Sequence, residues 1–156
     1  MGMAQPKPND ALILRLSRSF AAPRDRVFRA FTSPAQLARW WGPKGFTGPA
    51  CTLDVRAGGA WRTVMRSPEG KDHIVSGVYR EIVPPERLVF TWAWEEDGAR
   101  GHETVVTIEL SETPGGTRLE LTHEQFETED SRNAHRDGWS SCLDCLEEAL
   151  AEGTIE

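Results

Sequence analysis

Cys142 and Cys145 are separated by two residues, the spacing of a redox pair or of half a zinc site. Reactive CxxC pairs sit at helix N-termini, where the helix dipole lowers the thiol pKa. This pair falls well inside the helix expected at the C-terminal end of the chain. A zinc site needs two further ligands, and the sequence offers no second CxxC and no nearby HxxxH. Both thiols are therefore expected to be structural, and neither a metal nor a cofactor is expected. The third cysteine, Cys51, makes the count odd, which fits a reducing compartment better than a disulfide framework.

Four histidines, His73, His102, His123 and His135, lie outside any recognisable Ser-His-Asp or Cys-His signature. His123 follows Leu119 and Leu121 in alternation, which turns it inward as a hydrogen-bonded interior or rim residue. Tyr79, Arg80 and Glu81 could bring acid–base groups to a cavity. Strict alternation allows either Tyr79 and Glu81 or Arg80 alone to face inward. If the chain is an enzyme, Tyr79, Glu81 and His123 are the candidates for its polar cluster. The acidic stretch 124–130 (EQFETED) reads as a solvated loop whose charges suit the N-terminus of the helix that follows.

The aromatic residues carry more information. There are six tryptophans and one tyrosine. In the run LVFTWAW, Leu88, Phe90, Trp92 and Trp94 occupy every second position, so a strand sends all four to one face. Trp61, Thr63 and Met65 share a strand face in the same way. Trp139 leads the apolar face of the last helix, with Gly138 and Cys142 beside it. Together with Tyr79 and His123, these side chains are the expected lining of a pocket for a small, mostly apolar ligand. Trp40 and Trp41, just before Gly42-Pro43, are placed at its mouth. Gly138 costs about 1 kcal/mol relative to alanine inside a helix. Close approach of the sheet explains it better than room for a ligand.

The elements that must position these residues are legible. Residues 11–20 alternate as a strand with Leu12, Leu14 and Leu16 on one face. Pro23 suits the first turn of a short helix striped by Val27, Phe28 and Phe31. Ser33 caps a second, with Pro34 at its first position and Gln36 completing a capping-box pattern. Strands are expected over 51–56, 60–66, 72–82, 87–95, 103–111 and 117–124. Turn residues such as Gly58-Gly59, Asp97-Gly98 and Pro114-Gly115-Gly116 separate them, which favours an antiparallel meander. A final helix runs from about Ser131 to Glu152, with Trp139, Leu143, Leu146 and Leu150 on one face. Ala134, Gly138, Cys142, Cys145 and Ala149 form a stripe of small residues next to it. The apolar sheet face needs a cover, and only this helix is large enough.

Composition narrows the function. The chain has 156 residues, 38% hydrophobic and 27% charged, enough for one domain over 11–152 after a flexible segment at 1–10. A net charge of −6 argues against nucleic acid and anionic membrane as partners. No apolar run approaches the ~20 residues of a membrane span, and residues 1–10 lack the apolar stretch of a secretory signal, so cytoplasm is the expected location. A homodimer is compatible with the sequence, though no self-association patch is legible.

The segments LSRSFAAPRDRVFRAFTSPAQLARWWGP, DVRAGGAWRTVMRSPEG and GVYREIVPPERLVFTW, with the tryptophan-led last helix, resemble the SRPBCC (START-like) superfamily. The branch they are most similar to is the C-terminal domain of the heat-shock-protein ATPase activator. The resemblance covers residues 11–151. It implies an α+β helix-grip fold, a curved antiparallel sheet around a long C-terminal helix, with two short helices after the first strand and a cavity between sheet and helix. The superfamily includes lipid carriers, cyclases and co-chaperone domains, so the resemblance constrains function less than fold. Three readings remain: a binder of small apolar molecules, a cyclase- or hydrolase-like enzyme, and a protein-interaction module. Residues 1–10 are too short for the activator's separate N-terminal domain, so chaperone stimulation is not expected.

Overall fold

The computed structural model describes residues 10–152. The N-terminal segment expected to be flexible lies outside them except for Asp10, which opens a 3-10 turn, Asp10–Leu12. That turn replaces the start of the expected first strand, and β1 runs Leu14–Phe20. Two short helices follow, α1 (Arg24–Thr32) and α2 (Pro34–Trp40). Then come β2 (Thr47–Leu53), β3 (Ala60–Arg66), β4 (Asp72–Val83), β5 (Arg87–Glu96), the two-residue β6 (Ala99–Arg100), β7 (Thr104–Thr113) and β8 (Gly116–Glu124). The chain ends in the 24-residue helix α3, Glu129–Glu152.

Every strand pairing is antiparallel, in the order β1-β8-β7-β5-β4-β3-β2, with β6 folded back on β5. The sheet grips α3 in an α+β helix-grip fold. Alternation fixes the gripped face. Val106, Ile108 and Leu110 of β7 and Leu119, Leu121 and His123 of β8 are all at most 4% exposed. The apolar ones among them form one cluster with Leu143, Leu146 and Leu150 of α3 and with Val27, Phe28 and Phe31 of α1.

Two local expectations fail for identifiable reasons. Ser33 caps α2 by accepting from the Gln36 N–H at 3.4 Å, but the capping box is not closed. The Ser33 N–H is already spent on Arg29 C=O at the end of α1, and Gln36 Oε1 is buried without a partner. The alternation of β4 also breaks. Tyr79 pairs with Phe90 while Glu81 pairs with Val89, so a β-bulge at Arg80 shifts the register. Tyr79 stays inside and Glu81 turns out to Arg87, 3.2 Å away.

A second irregularity lies just before the bulge. Trp61 donates its indole N–H to Thr91 C=O at 3.1 Å, and Thr91 Oγ1 accepts from the Val78 N–H at 2.8 Å. The indole thus takes a position in the β4–β5 ladder. Only glycine fits at residue 77, because a Cβ there would meet the Thr91 carbonyl oxygen at 1.8 Å and Trp61 Nε1 at 2.7 Å.

Candidate functional site

Helix α3 packs flush against the sheet along its C-terminal half and stands off it along the N-terminal half. The stripe of small residues makes the difference. Leu143, Leu146 and Leu150 fill the sheet-facing space, whereas Ala134, Gly138 and Cys142 leave a gap of about 330 Å³. Opposite them stand Trp92 and Trp94 of β5 and Met65 of β3. Trp41, Gly42 and Pro43 close one end, and Trp139 and His135 complete the wall.

Gly138 corrects the expectation of close packing. A Cβ built on it meets nothing within 4 Å, so this glycine borders open space. Trp41 is a wall and not a lid: it is 5% exposed, and its indole N–H donates to Thr63 Oγ1 at 2.9 Å. Its ring meets those of Trp92 and Trp139 edge-on, at centroid distances of 5.9 and 5.4 Å. Trp40 is not at the mouth. It is 3% exposed, donates to Ala30 C=O at 3.0 Å and packs edge-on against Phe31 and Trp41.

Several expected lining residues sit elsewhere. Trp61, Tyr79 and Phe90 border a separate small space of about 20 Å³ near Leu37 and Leu53, too small for more than a water molecule. Trp61 is committed to the β-ladder, and Thr63 to Trp41. Burial pushes the Tyr79 phenol well above its ordinary range. Tyr79, Glu81 and His123 do not converge, because Glu81 lies on the outer face and His123 is enclosed by Trp92, Trp139 and Phe126. The polar cluster expected of these three residues is therefore not assembled.

His123 is fully buried, and both its nitrogens are occupied. Trp139 donates its indole N–H to Nδ1 at 3.0 Å, which leaves the ring proton on Nε2, facing Thr104 Oγ1 at 2.7 Å. The Thr104 hydroxyl in turn donates to Trp92 C=O at 3.1 Å. This chain of hydrogen bonds ties α3 to β8, β7 and β5 directly behind the cavity. Burial, with a smaller contribution from His135, pulls the His123 pKa well below the ordinary value of 6.5. His135 has the opposite tautomer: Nδ1 donates to Ser131 C=O at 2.7 Å and Nε2 accepts from the Trp94 indole N–H at 2.9 Å. Burial lowers its pKa as well. His135, with the loop residue Phe126 stacked 4.8 Å from it, is the functional-site candidate that sequence reading passed over. Its position one helical turn before Trp139, on the same face, was the available signal.

Cys142 accepts from the Gly42 N–H at 3.3 Å and lies at the cavity edge. Burial pushes its thiol up to about 12, so it stays protonated and unreactive. Among the described residues no group of three or more His, Cys, Asp or Glu side chains could hold a metal ion.

Residues 21–151 match the family described as Activator of Hsp90 ATPase homolog 1-like protein. The chain belongs to this family. Solved relatives agree in fold and length. The AHSA1 protein of Silicibacter pomeroyi is 36% identical with a TM-score of 0.82, over 90% of this chain and 99% of that one. A protein from Nitrosomonas europaea is 32% identical with a TM-score of 0.80, over 94% and 98% of the two chains. One from Chromobacterium violaceum is 30% identical with a TM-score of 0.75, over 88% and 95%. No curated protein matches the sequence. Membership in the activator-like branch of the SRPBCC superfamily accounts for the helix-grip architecture; it assigns neither a ligand nor a chaperone to this member. Among the described residues no helix is long and apolar enough to cross a membrane.

Proposed function

We propose that this protein binds a small, mostly apolar molecule in the cavity between the curved sheet and the N-terminal half of α3. The observation that carries the reading is Gly138. A helix tolerates glycine at a cost of about 1 kcal/mol, and here no packing neighbour offsets that cost. The empty space is walled by Trp41, Trp92, Trp94 and Trp139, large rings that present flat apolar surfaces at little entropic cost on binding. Among the described residues Tyr79, Glu81 and His123 do not converge, which favours binding over catalysis. The charge of −6 and the expected cytoplasmic location fit a diffusible small molecule better than a nucleic acid or membrane partner.

Native mass spectrometry of protein purified from its own host tests the reading. A mass increment of a few hundred daltons that disappears on denaturation is expected. A clean apo mass, together with no binding of added apolar probes, would remove the proposal.

A further inference from the structure

The cavity shares a wall with a second one. Trp92, Trp94 and His135 line both the main cavity and a neighbouring space of about 220 Å³ next to the 125–128 loop. The wall is closed between β5 and α3 by one hydrogen bond, from Trp94 Nε1–H to His135 Nε2. Behind it lies open space and not packed core, so both side chains have room to part. Both are only partly buried.

The two halves of that bond differ in what they need. Trp94 Nε1–H can only donate. His135 Nε2 can only accept, because Nδ1 carries the ring proton and donates it to Ser131 C=O. A hydroxyl both donates and accepts, so one placed between them satisfies both. A carboxylate would satisfy Trp94 but meet the His135 lone pair with its own. An ammonium would satisfy His135 but oppose Trp94. A pure hydrocarbon would leave the existing bond untouched and gain nothing from it. Burial lowers the His135 pKa, so a carboxylate would pair with this ring only at the cost of protonating it.

We propose that the ligand of the main cavity is a neutral apolar alcohol or phenol whose hydroxyl inserts between Trp94 Nε1 and His135 Nε2, donating to the histidine and accepting from the indole. The inference rests on the reading of the main cavity as a ligand site. One protein–protein bond is exchanged for two protein–ligand bonds, and the second cavity takes up the displacement.

The test is a matched ligand series on the full chain at pH 7.5: naphthalene, 2-naphthol and 2-naphthoate, each displacing the fluorescent probe N-phenyl-1-naphthylamine. In the wild type, 2-naphthol is expected to bind about fivefold more tightly than naphthalene, the weight of one net hydrogen bond, and 2-naphthoate more weakly than either. Trp94→Phe removes the donor, and His135→Phe independently removes the acceptor. Either single variant makes one bond to the hydroxyl and breaks none, so its preference should stay near fivefold, whereas in the double variant Trp94→Phe/His135→Phe the ratio of naphthol to naphthalene affinity should fall to about one. Equal binding of naphthol and naphthalene by the wild type overturns the proposal. So does a preference that survives in the double variant, or a preference for naphthoate. If neither the fluorescent probe nor any naphthalene binds saturably, the main cavity is not a ligand site and the proposal falls with it. Saturable binding without alcohol preference leaves the cavity reading standing and removes only the inserted hydroxyl.

Discussion

His123 and His135 sit 5.2 Å apart, ring to ring, and each is held as a single neutral tautomer by an indole N–H. Protonating either ring puts a proton on the nitrogen that now accepts from tryptophan, and no carboxylate is bonded to either ring. The folded-state pKa of each is below the ordinary 6.5, so between that value and the folded pKa the unfolded chain binds more protons. Stability is therefore fully present above about pH 6.5 and is lost as the pH falls below it. The slope is up to about 1.4 kcal/mol per pH unit for each histidine. Urea unfolding at pH 7.5 and 5.5 measures this, and equal stability at the two values would contradict the assigned tautomers. His123→Leu should cost about 1–3 kcal/mol at neutral pH, because the buried Trp139 indole loses its acceptor. The inward turn of His123 was legible from its alternation with Leu119 and Leu121. Its partners were not, since Thr104 and Trp139 are brought to it by strand register and helix rotation, which no local pattern encodes.

At the scale of elements, two glycines inside regular elements have opposite meanings. Gly77 lies in β4 against the backbone of β5, and a methyl group there would overlap the Thr91 carbonyl. Gly77→Ala should destabilise by about 3 kcal/mol or more, since backbone cannot yield as a side-chain tip can. Gly138 lies in α3 with open space in front of it. Gly138→Ala should stabilise by about 0.5–1 kcal/mol through helix propensity. Thermal or urea unfolding of the two variants checks both signs, and a destabilised Gly138→Ala would mean that the helix packs closer than described. Spacing revealed the small-residue stripe of α3 but not what faced it, which is why Gly138 reads from sequence as a packing glycine. The Arg80 bulge escaped for a related reason. A bulge inserts a residue without changing composition, so Tyr79 and Glu81 look like neighbours on one face until pairing partners are known. Trp61 similarly looks like pocket lining by alternation, because nothing local says that its N–H replaces a ladder bond. Strands β3, β4, β5 and β7 were legible to within two residues at either end, since large inward side chains alternate with smaller or polar ones along them and turn residues bound them. β2 starts at Thr47 and not at residue 51 as expected, because Gly48 and Pro49 interrupt the strand pattern at its beginning.

For the whole molecule, the grip of the sheet on α3 produces two regimes in one helix. The C-terminal half, with Leu143, Leu146 and Leu150, supplies stability. The N-terminal half, with Ala134 and Gly138 and ending at Cys142 just past the midpoint, gives up packing and opens a cavity walled by four tryptophans. This division of labour separates stability from binding in a measurable way. Gly138→Leu should fill the cavity from the helix side without touching the flush half. Titration of N-phenyl-1-naphthylamine into wild type and Gly138→Leu, each with its melting temperature, tests this most directly. Saturable one-to-one fluorescence enhancement is expected in the wild type. Affinity at least about tenfold weaker is expected in Gly138→Leu at an equal or higher melting temperature. No saturable binding by the wild type, or equal binding by the two proteins, would contradict the account.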